Sequence, residues 1–182
     1  MRKTAWLVVM ALSLVASRAE QPAAQTPAPE PSVASPDAGA ISRVRSTDKR
    51  ITALLARGAE QSATFRSLLD TIAATDGIVY VEAGRCGGVR ACLTLKLAVA
   101  GPYRILWIFV DTRRAACDVI VSIGHELWHA VEVLREPSIR SDGALYFFVT
   151  KGHSGNPPPR VETGVAIEVE EDVRSELREP CD

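Results

Sequence analysis

The chain has 182 residues, with 21 basic against 22 acidic side chains for a formal charge of −1, and 47% of its residues are hydrophobic. That is enough apolar material for one domain with a buried core. The near-neutral, interspersed charge leaves no electrostatic case for a nucleic-acid partner.

Arg2 and Lys3, an apolar run from Ala5 to Ala16 and then Ser17-Arg18-Ala19 read as a signal peptide over residues 1–19. An uncleaved membrane anchor is the alternative, for which the apolar run is short. Residues 20–40 are rich in Pro, Ala and small polar side chains, too poor in apolar area to offset their ordering entropy. They read as a disordered linker, which leaves a folded domain over 41–182. No later stretch is long enough to cross a bilayer, so no transmembrane segment is expected in the mature chain, and an exported product, periplasmic or secreted, is.

Four cysteines in an exported chain fit one or two disulfides. Cys86 and Cys92 flank Gly87 and Gly88 and would close a small loop, which leaves Cys117 and Cys181 to tie the C-terminal end to a central helix. A buried free thiol at Cys117 is the alternative. With no C-x-x-C pair, a thiolate metal cluster is not expected.

Ser46, Thr47 and Asp48 before Ile51, Leu54 and Leu55, with Gly58 as the stop, predict a first amphipathic helix. Ser62 or Thr64 caps a second, striped by Phe65, Leu68, Leu69 and Ile72 and ended at Thr75-Asp76-Gly77. Strands follow at Ile78–Val81, at Leu93 to Leu97 with strict alternation, and at Tyr103–Val110 after the Gly101-Pro102 turn. The third is almost unbrokenly apolar, as in a strand covered on both sides. The glycine-rich stretch between the first two lacks phosphate-loop spacing. A long helix begins around Ala115 or Asp118 and ends near Arg135 or Glu136, before Pro137. Ser141 is a candidate cap for a short apolar segment, Ala144–Val149, and a last helix runs from Val161 to Glu179 with Val165, Ala166, Val169, Val173 and Leu177 as its stripe. A meander of strands delivering a long helix predicts an α+β fold, a small, mostly antiparallel sheet packed against helices.

The long helix contains His125-Glu126-Leu127-Trp128-His129. Two imidazoles four residues apart share a helix face and can reach one metal ion. His125, His129, Glu132 and Asp118 fall within about 40° of one another on the helical wheel, opposite Ile123, Leu127, Val131 and Leu134. A catalytic zinc takes three protein ligands and leaves a position for water. Glu126, beside the first histidine, is placed to take a proton from that water, which is the chemistry of peptide or amide hydrolysis. The leading candidate for the third ligand is Glu162, an acid on the apolar face at the start of the last helix. Glu132, about 10 Å of rise from His125, suits a supporting pocket role better. His153, Asp118 and Asp142 are further candidates. Candidate donors to a transition-state oxyanion are Tyr103, Tyr146, His153, Arg113 and Arg114, and Trp128 reads as a packing residue.

The segment Ile123–Leu134, IGHELWHAVEVL, resembles the active-site helix of the zincin metallopeptidases. With a distant downstream glutamate it is most similar to the glutamate-zincin (gluzincin) branch, whose second helix Glu162-Thr163-Gly164-Val165-Ala166 resembles. The resemblance implies a zincin-like fold with Zn2+ held by His125, His129 and Glu162, Glu126 as the base, a peptide or protein substrate, and an edge strand at Arg104–Val110 along which that substrate lies. The metzincin pattern requires Gly at 132 and His at 135, where this chain has Glu132 and Arg135. The chain is also similar to exported bacterial proteins in which a strand ending in Asp-x-Arg precedes a G-H-E-L-x-H-A-x-E-V helix. Two rival readings are a non-catalytic structural metal centre or degenerate site in a binding protein, and an exported scaffold without metal, which predicts Glu162 far from both histidines.

Overall fold

A computed structural model describes residues 42–150, 163–178 and Cys181, all within one unit, Ala40–Asp182. The signal peptide expected over 1–19 and the linker over 20–40 lie outside the described residues.

Among the described residues nine elements follow in chain order: β1 (Val44–Arg45), α1 (Lys49–Gln61), α2 (Ala63–Ala73), β2 (Gly77–Ala83), β3 (Ala91–Ala100), β4 (Tyr103–Val110), α3 (Ala116–Leu134), α4 (Asp142–Thr150) and α5 (Gly164–Glu176). Asp48 caps α1, its carboxylate accepting from the Arg50 and Ile51 amides, and Ser62 caps α2 through the Phe65 amide. Each cap satisfies donors the helix itself leaves without partners. α1 does not stop at Gly58. That glycine is buried inside the helix, where a Cβ would come within 3.0 Å of the Phe65 ring and 3.1 Å of Ile120. Its small size serves the close approach of α2 and α3.

The sheet order is β1-β2-β4-β3. β1 pairs with β2, and β2 with β4, in parallel; only β3 and β4 are antiparallel. The chain from β2 skips one position, runs out along the edge as β3, then returns through the Gly101-Pro102 turn to insert β4 between them. The fold is therefore a small mixed sheet packed against helices, and the expected antiparallel meander is corrected. β4 is central, with β1 and β3 at the two edges, which also corrects the expectation of an edge at Arg104–Val110. The apolar β4 fits the central place, and its two faces differ: Leu106, Ile108 and Val110 are buried on the side of α3, while Ile105, Trp107 and Phe109 opposite are only half-buried. Arg43 and Arg45 lay their guanidinium groups over Tyr103 and Tyr80 on that outer side. Among the described residues no helix is long and apolar enough to cross a membrane.

α3 lies at the centre of the helical layer, against β2, β3 and β4 on one side and α1, α2 and α5 on the other. Ile120, Ile123 and Leu127 are fully buried, each contributing about 1.5–3 kcal/mol. Its C-terminal end is held by Arg104. That side chain is 1% exposed and donates to the carbonyls of Val133 (3.2 Å), Leu134 (2.7 Å), Glu136 (2.8 Å) and Ile139 (3.3 Å). Its remaining donors meet both carboxylate oxygens of Asp76 at 2.7–3.0 Å. A buried guanidinium thus adds donors to carbonyls at and just beyond the helix end, where the regular ladder runs out; those of Val133 and Glu136 also accept backbone N–H groups. Arg104 in turn holds the Asp76 carboxyl below the usual carboxylate range, chiefly through their hydrogen bonds.

The other end of α3 is fastened by the Cys117–Cys181 disulfide, and a second disulfide joins Cys86 to Cys92, as the sequence suggested. α5 is capped by Thr163 and begins at Gly164, so the helix expected from Val161 is described only from there. Ala166, Val169, Val173 and Leu177 are buried as predicted, whereas Val165 is exposed. Glu176 ties α5 to the start of α2 through the Ser62 and Thr64 hydroxyls and the Thr64 amide. Burial pushes the Glu176 carboxyl up, and these hydrogen bonds outweigh it to hold the group below its ordinary range.

Candidate metal centre

Gly124 lets α5 approach the middle of α3, since a Cβ there would stand 3.2 Å from Val173. One turn away on α5, Glu170 reaches the next residue of α3, His125. The His125 Nδ1 lies 3.3 Å from Glu170 Oε2. The His129 Nδ1 lies 2.8 Å from Glu132 Oε2, three residues on along the same helix. The two Nε2 atoms face each other at 3.2 Å.

These distances constrain the protons. A carboxylate only accepts, so a ring held by one through Nδ1 carries its proton there and its lone pair on Nε2. For His129 that choice turns the Nε2 lone pair toward His125, whose own Nδ1 stands 3.3 Å from Glu170 outside hydrogen-bond geometry. With the His125 proton also on Nδ1, a cation between the two Nε2 atoms would be held by both rings. Two nitrogens bound to one tetrahedral zinc at about 2.0–2.1 Å stand roughly 3.3–3.4 Å apart, close to the observed separation. The donor set also has the carboxylate-imidazole pairing that orients metal-bound histidines. The two histidines therefore fit a shared metal ion.

Glu126 sits in the same cleft, its Oε2 accepting from the backbone N–H of Leu93 in β3 at 2.6 Å. The cleft has a volume of about 1020 Å³ and opens between α3, the edge strand β3 and α4; His125, Glu126, His129, Glu132 and Glu170 all line it. Leu97, four residues along β3, donates its amide to Asp142 of α4 at 2.7 Å. Between these two points the register with β4 shifts, an irregularity that breaks the alternation expected for Leu93, Leu95 and Leu97.

The structure thus brings His125, Glu126 and His129 together and adds Glu132 beside His129. Glu162 and His153 lie outside the described residues. Asp118, though on the same helix face, is turned to Arg174 at 3.4 Å, and Asp142 is occupied at β3. Among the described residues no three His, Cys, Asp or Glu side chains gather as a metal cluster. Of the oxyanion candidates, Arg114 lines the cleft. Arg113 is paired with Asp111, whose carboxyl it holds well below the usual range, and Tyr103 lies under Arg43. Trp128 is half-buried, its ring covered by Arg135 at 5.0 Å.

Glu170 is the residue that sequence reasoning passed over. Its carboxylate is itself held by Arg174 at 3.0 Å, with Arg90 at 3.7 Å. It shares a helix face with Ala166 and Val173, the same signal of an acid on an apolar stripe that singled out Glu162. No family model, no curated protein and no solved structure matches this chain.

Proposed function

We propose that this chain is a zinc-dependent peptidase that hydrolyses peptide bonds with a metal-activated water. The observation that carries the reading is the opposed pair of Nε2 atoms at 3.2 Å, with Glu132 bonded to the His129 Nδ1 and a Glu170 oxygen 3.3 Å from the His125 Nδ1. His125 and His129 would hold the ion, with Glu162 as the proposed third ligand. Zinc bound there would lower the pKa of a water molecule and polarise a substrate carbonyl.

The chain's own residues have separable tasks. Glu132 fixes the tautomer and orientation of the His129 ring, and Glu170 stands beside the His125 ring as its counter-charge. Glu126 accepts a proton in the cleft and returns one to the leaving amine, with the Leu93 N–H holding one of its oxygens in place. Arg114 is a charged donor within the cleft for a developing oxyanion. An open cleft beside the pair favours a catalytic over a structural metal centre, since structural sites are closed. The two disulfides support an exported location, periplasmic or secreted.

Elemental analysis of the purified chain beside its His129→Ala variant tests the reading. One zinc per chain, absent from the variant, is the expected result. Folded protein that takes up no zinc when the metal is supplied would leave the facing nitrogens bridged by a proton, and the peptidase reading would fall.

A further inference from the structure

Beyond the metal pair, the cleft carries apolar surface that the fold does not use. Val89 is 40% and Leu95 42% exposed, and both line it. Facing them from α4 are Phe148 and Val149, packed only in part against the core. A leucine in the middle of a strand normally goes to the core side with its i−2 and i+2 neighbours. Here Leu97 does so and Leu95 does not. The irregular stretch between Leu93 and Leu97 releases Leu95 from the alternation, and bulges re-aim side chains in this way beside functional sites.

The irregularity is pinned at both ends. The Leu93 amide is held by Glu126, the proposed base, and the Leu97 amide by Asp142 at the start of the helix that carries Phe148. The exposed leucine is thus built into the cleft at a fixed place relative to Glu126. Fixed apolar walls with a few convergent polar groups select ligands by shape and burial.

We infer that Leu95 and Phe148 form a specificity pocket for a large aliphatic or aromatic side chain next to the bond cleaved, so that the substrates are peptides carrying such a residue. This rests on the peptidase reading for the word substrate, while the pocket itself can be tested by binding alone. Full-length Glu126→Gln protein is titrated with end-blocked Ala-Ala-X-Ala peptides, X being Leu, Phe, Ala or Asp, with and without added zinc, and zinc content is measured in parallel.

The Leu and Phe peptides should bind at least about tenfold more tightly than those with Ala or Asp, the scale of burying one such side chain. Leu95→Ala and the milder Phe148→Leu should bring that preference down severalfold and leave zinc content unchanged. Equal affinities, a preference for Asp, no binding of any peptide, or a preference that survives both substitutions would overturn the pocket. Absence of zinc with the apolar preference intact would instead sink the peptidase reading and spare the pocket.

Discussion

Helix α3 carries two polar clusters about one turn apart, and they are built on opposite principles. At its C-terminal end Arg104 spends its donors on Asp76 and four backbone carbonyls. That site is closed, and its charge is matched by groups that belong to the fold. In the middle of the helix, His125 and His129 meet nitrogen to nitrogen beside a cleft of about 1020 Å³. Glu132 holds the outer nitrogen of His129, Glu170 lies 3.3 Å from that of His125, and the two inner nitrogens face each other. The first arrangement stabilises the chain as it stands, whereas the second borders open space and is the one proposed to hold a metal ion. Buried polar groups that the fold satisfies read as structure, and those that it aims at a common point read as function.

Each side of this contrast can be broken separately. On the open side, Glu126→Gln should lower kcat by about 10²–10⁴ while zinc content stays at that of the parent. Full activity in that variant, measured on a peptide the parent cleaves, would remove Glu126 from the mechanism. On the closed side, Arg104→Met should cost about 1–3 kcal/mol, because carbonyls at the end of α3 lose their buried donor while the partly exposed Asp76 keeps Arg140 at 3.5 Å. Denaturant unfolding of the variant measures this. A cost under about 1 kcal/mol would mean that water replaces Arg104 freely and that the cluster is not closed.

A smaller effect separates the supports of the two rings. Glu132→Gln and Glu170→Gln each keep the shape of the contact and weaken its acceptor, and loss of such a partner lowers metal affinity by about 10–100-fold. Competition with a chelator of known affinity gives the values. If only Glu132→Gln has an effect, the 3.3 Å approach of Glu170 to His125 is incidental packing; if neither does, the orientation argument fails.

The sequence displayed one of these clusters and hid the other. His125, Glu126 and His129 are legible because their spacing is a local property of a helix, and four residues bring side chains to one face whatever the rest of the fold does. The strand Tyr103–Val110 was read with its observed limits, since a turn and a run of β-formers are also local. Arg104 was invisible as a cap because its acceptors lie some 30 residues away and are backbone atoms, which have no letter in a sequence. The strand order failed for a similar reason. The period of two in β2, β3 and β4 says which face each residue takes, and nothing about β4 being inserted between the other two. The exposed Leu95 followed from a register shift that the pattern Leu93, Leu95, Leu97 does not encode. Glu170 was within reach, by the argument already made for Glu162, and the neighbouring Glu168 and Glu171 camouflaged it.

The closed cluster makes one more prediction, on pH. Arg104 holds folded Asp76 below its ordinary range, so the folded chain binds a proton there less readily than the unfolded chain. The contribution of the ionised Asp76 to stability is complete above the unfolded carboxylate value of about 3.9. It is lost as pH falls through the lower folded value. Asp76→Asn should therefore be less stable than the parent at pH 7, and the gap between the two should narrow as the solution is taken from about pH 5 toward pH 2. Asp111 and Glu176 also titrate low in the folded chain, but both are present in parent and variant and cancel in the difference. Denaturant midpoints across that range give the gap directly. One that stays constant from pH 7 to pH 2 would mean that Asp76 acts on Arg104 through shape and hydrogen bonding alone, and the charge pairing assigned to the closed end of α3 would have to be withdrawn.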